Sequence, residues 1–199
     1  MMTSNKGLLY LFFEAFPLSY QAQRGWSPGV AGLPFIGIFL GVLCACILIS
    51  TTTKTRLAPN PQAGRSQETR LLLMIVGGIS LPTGLFWFAW TSNPSISPWP
   101  QLISGVPIGI GTMLITMQGL NYIIDCYTFN AASALAATTL VRSFFGAGFP
   151  LFATAMYDRL GVPWATSVLA FIAVALFPVP ILFYRFGAKI RTFSKYTPT

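Results

Sequence analysis

Six side chains stand where the surrounding sequence is too apolar to solvate them, and their types allow proton exchange and polar recognition. In LLYLFFEAFP (8–17), Glu14 interrupts an apolar run one helical turn after Tyr10, so a hydroxyl and a carboxylate would share one helix face. Ionisable residues inside spans are rare and face a bundle interior or a wet cavity. Burial favours the neutral form of a carboxyl, and such a group can trade a proton for a cationic substrate. A structural hydrogen bond or ion pair would use Glu14 equally well, with Pro17 as a simple kink. In MQGLNYIIDCY (117–127), Gln118, Asn121 and Asp125 recur at i, i+3 and i+7. That spacing draws two amides and a carboxylate into a stripe on one helical face, suited to lining a cavity or to hydrogen-bonding between helices. In ALAATTLVRSFFGAGFP (134–150), Arg142 lies about ten residues into its apolar stretch, roughly 15 Å at helical rise. That depth calls for an ion-pair partner, either Glu14 or Asp125, unless the side chain snorkels to the headgroups.

These residues need elements to hold them, and the charges show which. The chain has 199 residues, 54% hydrophobic and 8% charged, against about 25% charged for a soluble domain. No charge falls between Arg24 and Lys54, between Arg70 and Asp125, or between Arg159 and Arg185. A spanning helix takes roughly 20 apolar residues, so the shorter gaps hold one span each. The long gap holds two, parted by TSNPSISPWP (91–100), a polar turn rich in proline. The reading is an all-α integral membrane protein with six spans, at about 7–22, 29–50, 71–91, 101–124, 132–156 and 163–184. Helices satisfy every backbone group within the segment, and the alternation of a membrane barrel is absent. A polar loop (51–70) of little regular structure and a basic tail (185–199) complete a single membrane domain.

Basic residues set the expected orientation. Lys6, the loop residues Lys54, Arg56, Arg65 and Arg70, and the tail residues Arg185, Lys189, Arg191 and Lys195 fall on one side. Only Arg24 and Arg159 fall on the other, so both termini are expected in the cytoplasm. Glu14 and Pro17 break the apolar core that a signal peptide needs. The net charge of +8 sits at span ends and is not interleaved with aromatics on a polar face, so nucleic acid is not an expected partner. There is no histidine, and Cys44, Cys46 and Cys126 lie in or beside apolar runs. Packing thiols are the expectation, with no metal and no cofactor. No nucleophile–base pair can be assembled, so an enzyme is not expected. Two small-xxx-small pairs, Gly37 with Gly41 and Gly105 with Gly109, allow close helix approach. Pro82, Pro107 and the Gly146-Gly148-Pro150 set are candidate interruptions of their helices.

FFEAFP, GWSPGVAGLPFIGIFLG, LPTGLFWFAWTS, NYIIDCYTFNAASALAATTLVRSFFGAGFPLF and IRTFSKY together resemble the fungal drug:proton antiporters of the major facilitator superfamily. More narrowly, they resemble its multidrug and polyamine exporters. The resemblance covers essentially the whole chain and corresponds to the C-terminal six helices of a twelve-helix transporter. It implies a cavity lined by the first and fourth segments here, with Glu14 in an FEA-aromatic-P motif, Asn121 and Asp125 in NYxxDxY, and Arg142 in RSxxGAxFP. Glu14 would then carry the exchangeable proton, while Tyr10, Gln118 and Asn121 line a path for a small hydrophobic or cationic molecule. Arg142 and Asp125 would be structural. The chain departs from the family pattern at Ala136-Ala137-Thr138 and in QETRL (67–71).

The implied function is proton-coupled export by alternating access, in the plasma membrane. Such access rocks one six-helix half against another. The expected partners are therefore the lipid bilayer, protons, a small-molecule substrate, and a second six-helix half or a second copy of this chain. The alternative is a truncated or partner-dependent membrane protein without transport activity of its own.

Overall fold

The computed structural model describes residue 32 and residues 35–54, 65–93, 96–127 and 130–192. These are helical throughout their length apart from short turns, with no strand among the described residues. The helices are α1 (Phe35–Thr52), α2 (Arg65–Thr91), α3 (Pro98–Ile103), α4 (Gly105–Cys126), α5 (Ala131–Leu176) and α6 (Pro178–Thr192). The expected first segment, 7–22, lies outside the described residues, and with it Tyr10 and Glu14.

Four stretches are long and apolar enough to cross a bilayer: Phe35–Thr52, Arg70–Thr91, Pro98–Cys126 and Arg159–Arg185. Their outward faces carry Phe39, Ile47, Trp90, Phe171 and other large apolar side chains exposed to the surroundings. Water would penalise that surface, whereas lipid tails solvate it. Helix ends use the local hydroxyls. Thr51 and Thr52 both donate to the Leu48 carbonyl, at 3.0 and 2.7 Å, and Thr53 donates to Ile49 at 2.8 Å. These hydroxyls bond back to carbonyls three and four residues earlier, so the polar end of α1 is satisfied locally.

α4 is the centre of the bundle, with α1 on one side and α2 on the other. The two glycine pairs face one another. A Cβ on Gly41 would run into the Val106 carbonyl oxygen, and one on Gly109 into that of Ile38. Apolar helices gain no hydrophobic drive from meeting inside lipid, so close packing of small residues has to hold them. α2 meets α4 as closely. A Cβ on Gly111 would lie 2.6 Å from the Leu81 nitrogen and 2.8 Å from its Cα. The helices also exchange a hydrogen bond, Ser80 Oγ donating to the Pro107 carbonyl at 2.9 Å.

α2 in turn packs against the later part of α5. Leu81, Leu85 and Phe88 meet Ile108 and Ile115 from α4 and Val162, Ala165 and Leu169 from α5 in one buried cluster. The register is antiparallel: Trp90 stands against Trp164 with ring centroids 6.3 Å apart, and Phe86 against Phe171 at 5.1 Å. Further along, Phe177 lies over Gly78, and Phe183 meets Tyr122 at 6.1 Å.

Three boundaries differ from expectation. Helix α2 begins at Arg65, inside the stretch 51–70 read as irregular, because SQETR contains strong helix formers. The turn expected between 156 and 163 is a break at one residue, Gly161, with φ 74° and ψ 163°. That conformation is open to glycine and strained for other residues. A second break at Phe177 precedes Pro178, and α6 then continues beyond Tyr184 to Thr192. Pro82 does not end its helix. Thr83 Oγ1 donates to the Ser80 carbonyl at 2.8 Å and to that of Ile79 at 3.0 Å, in the turn before it.

Candidate functional site

The polar stripe of MQGLNYIIDCY lies on the last two turns of α4. Gln118 is 3% exposed, while Asn121 and Asp125 are half-buried. The stripe thus climbs from the bundle interior to its end, and one helix face grades from a buried amide to a charged terminus. Ser92, Gln101, Ser104, Thr166 and Ser167 are the other buried polar side chains described. Ser92, Ser104 and Ser167 donate to carbonyls of their own chain segment at 2.8, 2.6 and 2.7 Å, so these hydroxyls serve the backbone.

Asp125 is bound electrostatically to Arg70, with Arg70 Nε 3.2 Å from Asp125 Oδ2. The oxygen is buried and held by charge without an aligned hydrogen bond. The antiparallel register explains the meeting: Gly111 packs on Leu81, so the start of α2 reaches the end of α4. Asp125 is on the unfavourable end of its helix. A carboxylate at a C-terminus opposes the macrodipole, and pairing with Arg70 offsets that penalty.

Among the described residues Asp125 is thus paired with Arg70, where Arg142 was expected to pair with Asp125 or Glu14. Arg142 is half-buried in the first part of α5, and no ion pair holds it among the described residues. The nearby hydroxyls turn to the helix backbone: Thr138 and Thr139 donate to Leu135 at 2.8 and 2.9 Å, and Ser143 donates to Thr139 at 2.9 Å. The other expected partner of Arg142, Glu14, lies outside the described residues, as does Tyr10. Gln118, Asn121 and Asp125 therefore share one described face, and Arg142 stands apart on α5.

Replacing Arg70 with Gln strands a buried carboxylate oxygen, so a loss of about 1–2 kcal/mol is expected. Thermal melts of the detergent-solubilised protein check this. The Arg70→Gln/Asp125→Asn pair is expected to recover most of the loss. Additive losses in the double variant would show that the two charges do not depend on one another.

An open surface recess of about 300 Å³ lies at the junction of α4 and α5, where Tyr127, Asn130, Ser133 and Ala134 line it among the described residues. Its turn is tied by Asn130 N–H donating to Tyr127 O at 3.0 Å and Ser133 Oγ donating to Asn130 O at 2.9 Å. Sequence reasoning passed over these residues. Their signal is the polar punctuation of CYTFNAAS between two apolar runs.

Comparison with known proteins adds an independent line. The chain is 57% identical over 192 residues to the cercosporin MFS transporter of Cercospora nicotianae, a match covering 96% of this chain and 38% of that protein. It is 55% identical over 194 residues to the citrinin biosynthesis cluster MFS transporter of Monascus ruber, covering 96% of this chain and 39% of the relative. An MFS-type efflux pump of Trichophyton rubrum is 45% identical over 192 residues, covering 96% of this chain and 32% of the pump. The chain thus spans well under half the length of these relatives. No protein-family model and no solved structure matches it.

Proposed function

Because this chain is homologous, over 96% of its length, to transporters of the major facilitator superfamily, we propose that it is the C-terminal six-helix half of a proton-coupled exporter. The cargo is a small hydrophobic or cationic compound. Relatives named for cercosporin, for a citrinin cluster and as an efflux pump support a small organic molecule as cargo. The observation that carries the reading is this homology joined to the α4 stripe, in which a nearly buried Gln118 leads to Asn121 and Asp125. An amide in lipid-solvated surroundings needs a polar neighbour, and a substrate path provides one.

In this reading Glu14 exchanges the proton, Tyr10, Gln118 and Asn121 line the path, and Asp125 joins Arg70 in a structural pair. Both termini and the loop 51–70 are cytoplasmic, the membrane is the plasma membrane, and a second six-helix half completes the site. The subfamily is that of the multidrug and polyamine antiporters. Proteoliposomes holding the protein with its complementary half test this reading. A fluorescent lipophilic cation is expected to move against its gradient only while a pH gradient is present. Movement that ignores the pH gradient would remove proton coupling.

A further inference from the structure

We infer that the end of the bundle where α1 and α6 finish and α2 begins is a docking surface for anionic phospholipid headgroups. The register of the helices brings Lys54, Arg70 and Arg185 to one end, and the sequence adds further basic residues beside them. Phe177 over Gly78 and Phe183 against Tyr122 fix α6 beside α2 and α4. Continuing that antiparallel register places Arg185 at the level of the Arg70–Asp125 pair. Lys54 follows α1 and is exposed, as is Arg185, and Arg65 opens α2. Lys189 and Arg191 lie on the last turns of α6. Against these stand Glu68 and Asp125, and Asp125 is already matched by Arg70. No acidic residue occurs anywhere in 159–199.

The chemistry of this end fits a lipid surface better than a free anion. The apolar stretch ends at Arg185, yet the helix continues to Thr192. Its continuation, FGAKIRT, alternates apolar Phe186 and Ile190 with basic Lys189 and Arg191, the composition of a helix at the headgroup level. Tyr184 marks the same boundary as an interfacial aromatic does. A free phosphate would use the charges and leave the apolar residues in water. An anionic headgroup uses both, and each basic residue near such a surface contributes about fivefold in affinity. The inference does not depend on what the protein transports.

The test is lipid selectivity of the full chain reconstituted in phosphatidylcholine vesicles. Spin-labelled phosphatidylserine and phosphatidylcholine with matched acyl chains report the motionally restricted fraction. Phosphatidylserine is expected to be preferred several-fold, with the preference largely lost at roughly 1 M salt, where screening reaches about 3 Å. The triple variant Arg185→Gln/Lys189→Gln/Arg191→Gln is expected to bring the two lipids close to parity, while Arg159→Gln, at the opposite end, keeps the preference. Equal association of both lipids with the wild type, or an unchanged preference in the triple variant, would overturn the inference. So would loss of the preference on adding inorganic phosphate, which would mark a free-anion site. Should the triple variant fail to insert, the salt series on the wild type decides, since a salt-independent preference is incompatible with a charged docking surface.

Discussion

Gly41→Val is expected to separate α1 from α4, lowering stability by about 3 kcal/mol or more. The added Cβ would enter the Val106 carbonyl oxygen and come within 3.0 Å of the Gly109 Cα and the Ile110 nitrogen. All three neighbours are backbone, so no side chain can swing aside. The helices must move apart along a contact whose strength depends on close approach, where Cα–H groups meet carbonyls and dispersion falls off steeply with distance. Water offers no compensating drive to re-form the pair inside lipid. Even Gly41→Ala is expected to weaken the bundle, because the clash begins at Cβ. Gly148→Ala is the contrast: nothing among the described residues lies within 4 Å of its added Cβ, and the helical preference for alanine gives a gain of up to about 1 kcal/mol. Size-exclusion profiles after a heating series separate these cases. A Gly41→Val protein as heat-resistant as the wild type would show that α1 and α4 do not pack through these glycines.

The same glycines show what the sequence could and could not tell. Both small-xxx-small pairs are visible as spacing, since close approach requires missing side chains. That they face each other depends on how α1 and α4 are placed, which spacing within either helix does not encode. Long uncharged gaps likewise reveal apolar helices, because the cost of charge in lipid leaves a simple mark on the sequence. Helix ends outside the apolar stretches leave no such mark, which is why Arg65 and Thr192 came as extensions. The stripe of Gln118, Asn121 and Asp125 was legible from its periodicity alone. Its ionic partner was not. Depth pointed to Arg142, but the antiparallel register of α2 and α4 delivers Arg70, and register is a property of the assembled pair. Pro82 gives the converse case, a helix interruption expected from one residue where the helix continues from Arg65 to Thr91.

Glu14→Gln is expected to abolish pH-driven efflux while leaving downhill movement of the same cation. The variant keeps the size and hydrogen-bonding reach of the side chain and removes only its ability to bind and release a proton. A pH difference of one unit supplies 1.36 kcal/mol for each coupled proton, equivalent to about tenfold accumulation. Without exchange at Glu14 that factor falls to one. Because glutamine can still donate to and accept from a polar substrate, binding and facilitated exchange should survive, and they serve as the control for folding. Glu14→Asp keeps the titratable group on a shorter arm and is expected to retain coupling at a reduced rate. Two measurements on one preparation suffice: accumulation against an imposed pH gradient, and equilibrium exchange without one. Loss of both would assign Glu14 a structural role beside Tyr10. Retention of full accumulation in Glu14→Gln would instead move the proton to another carboxylate, and Asp125, released from Arg70 in part of the cycle, would be the next to replace.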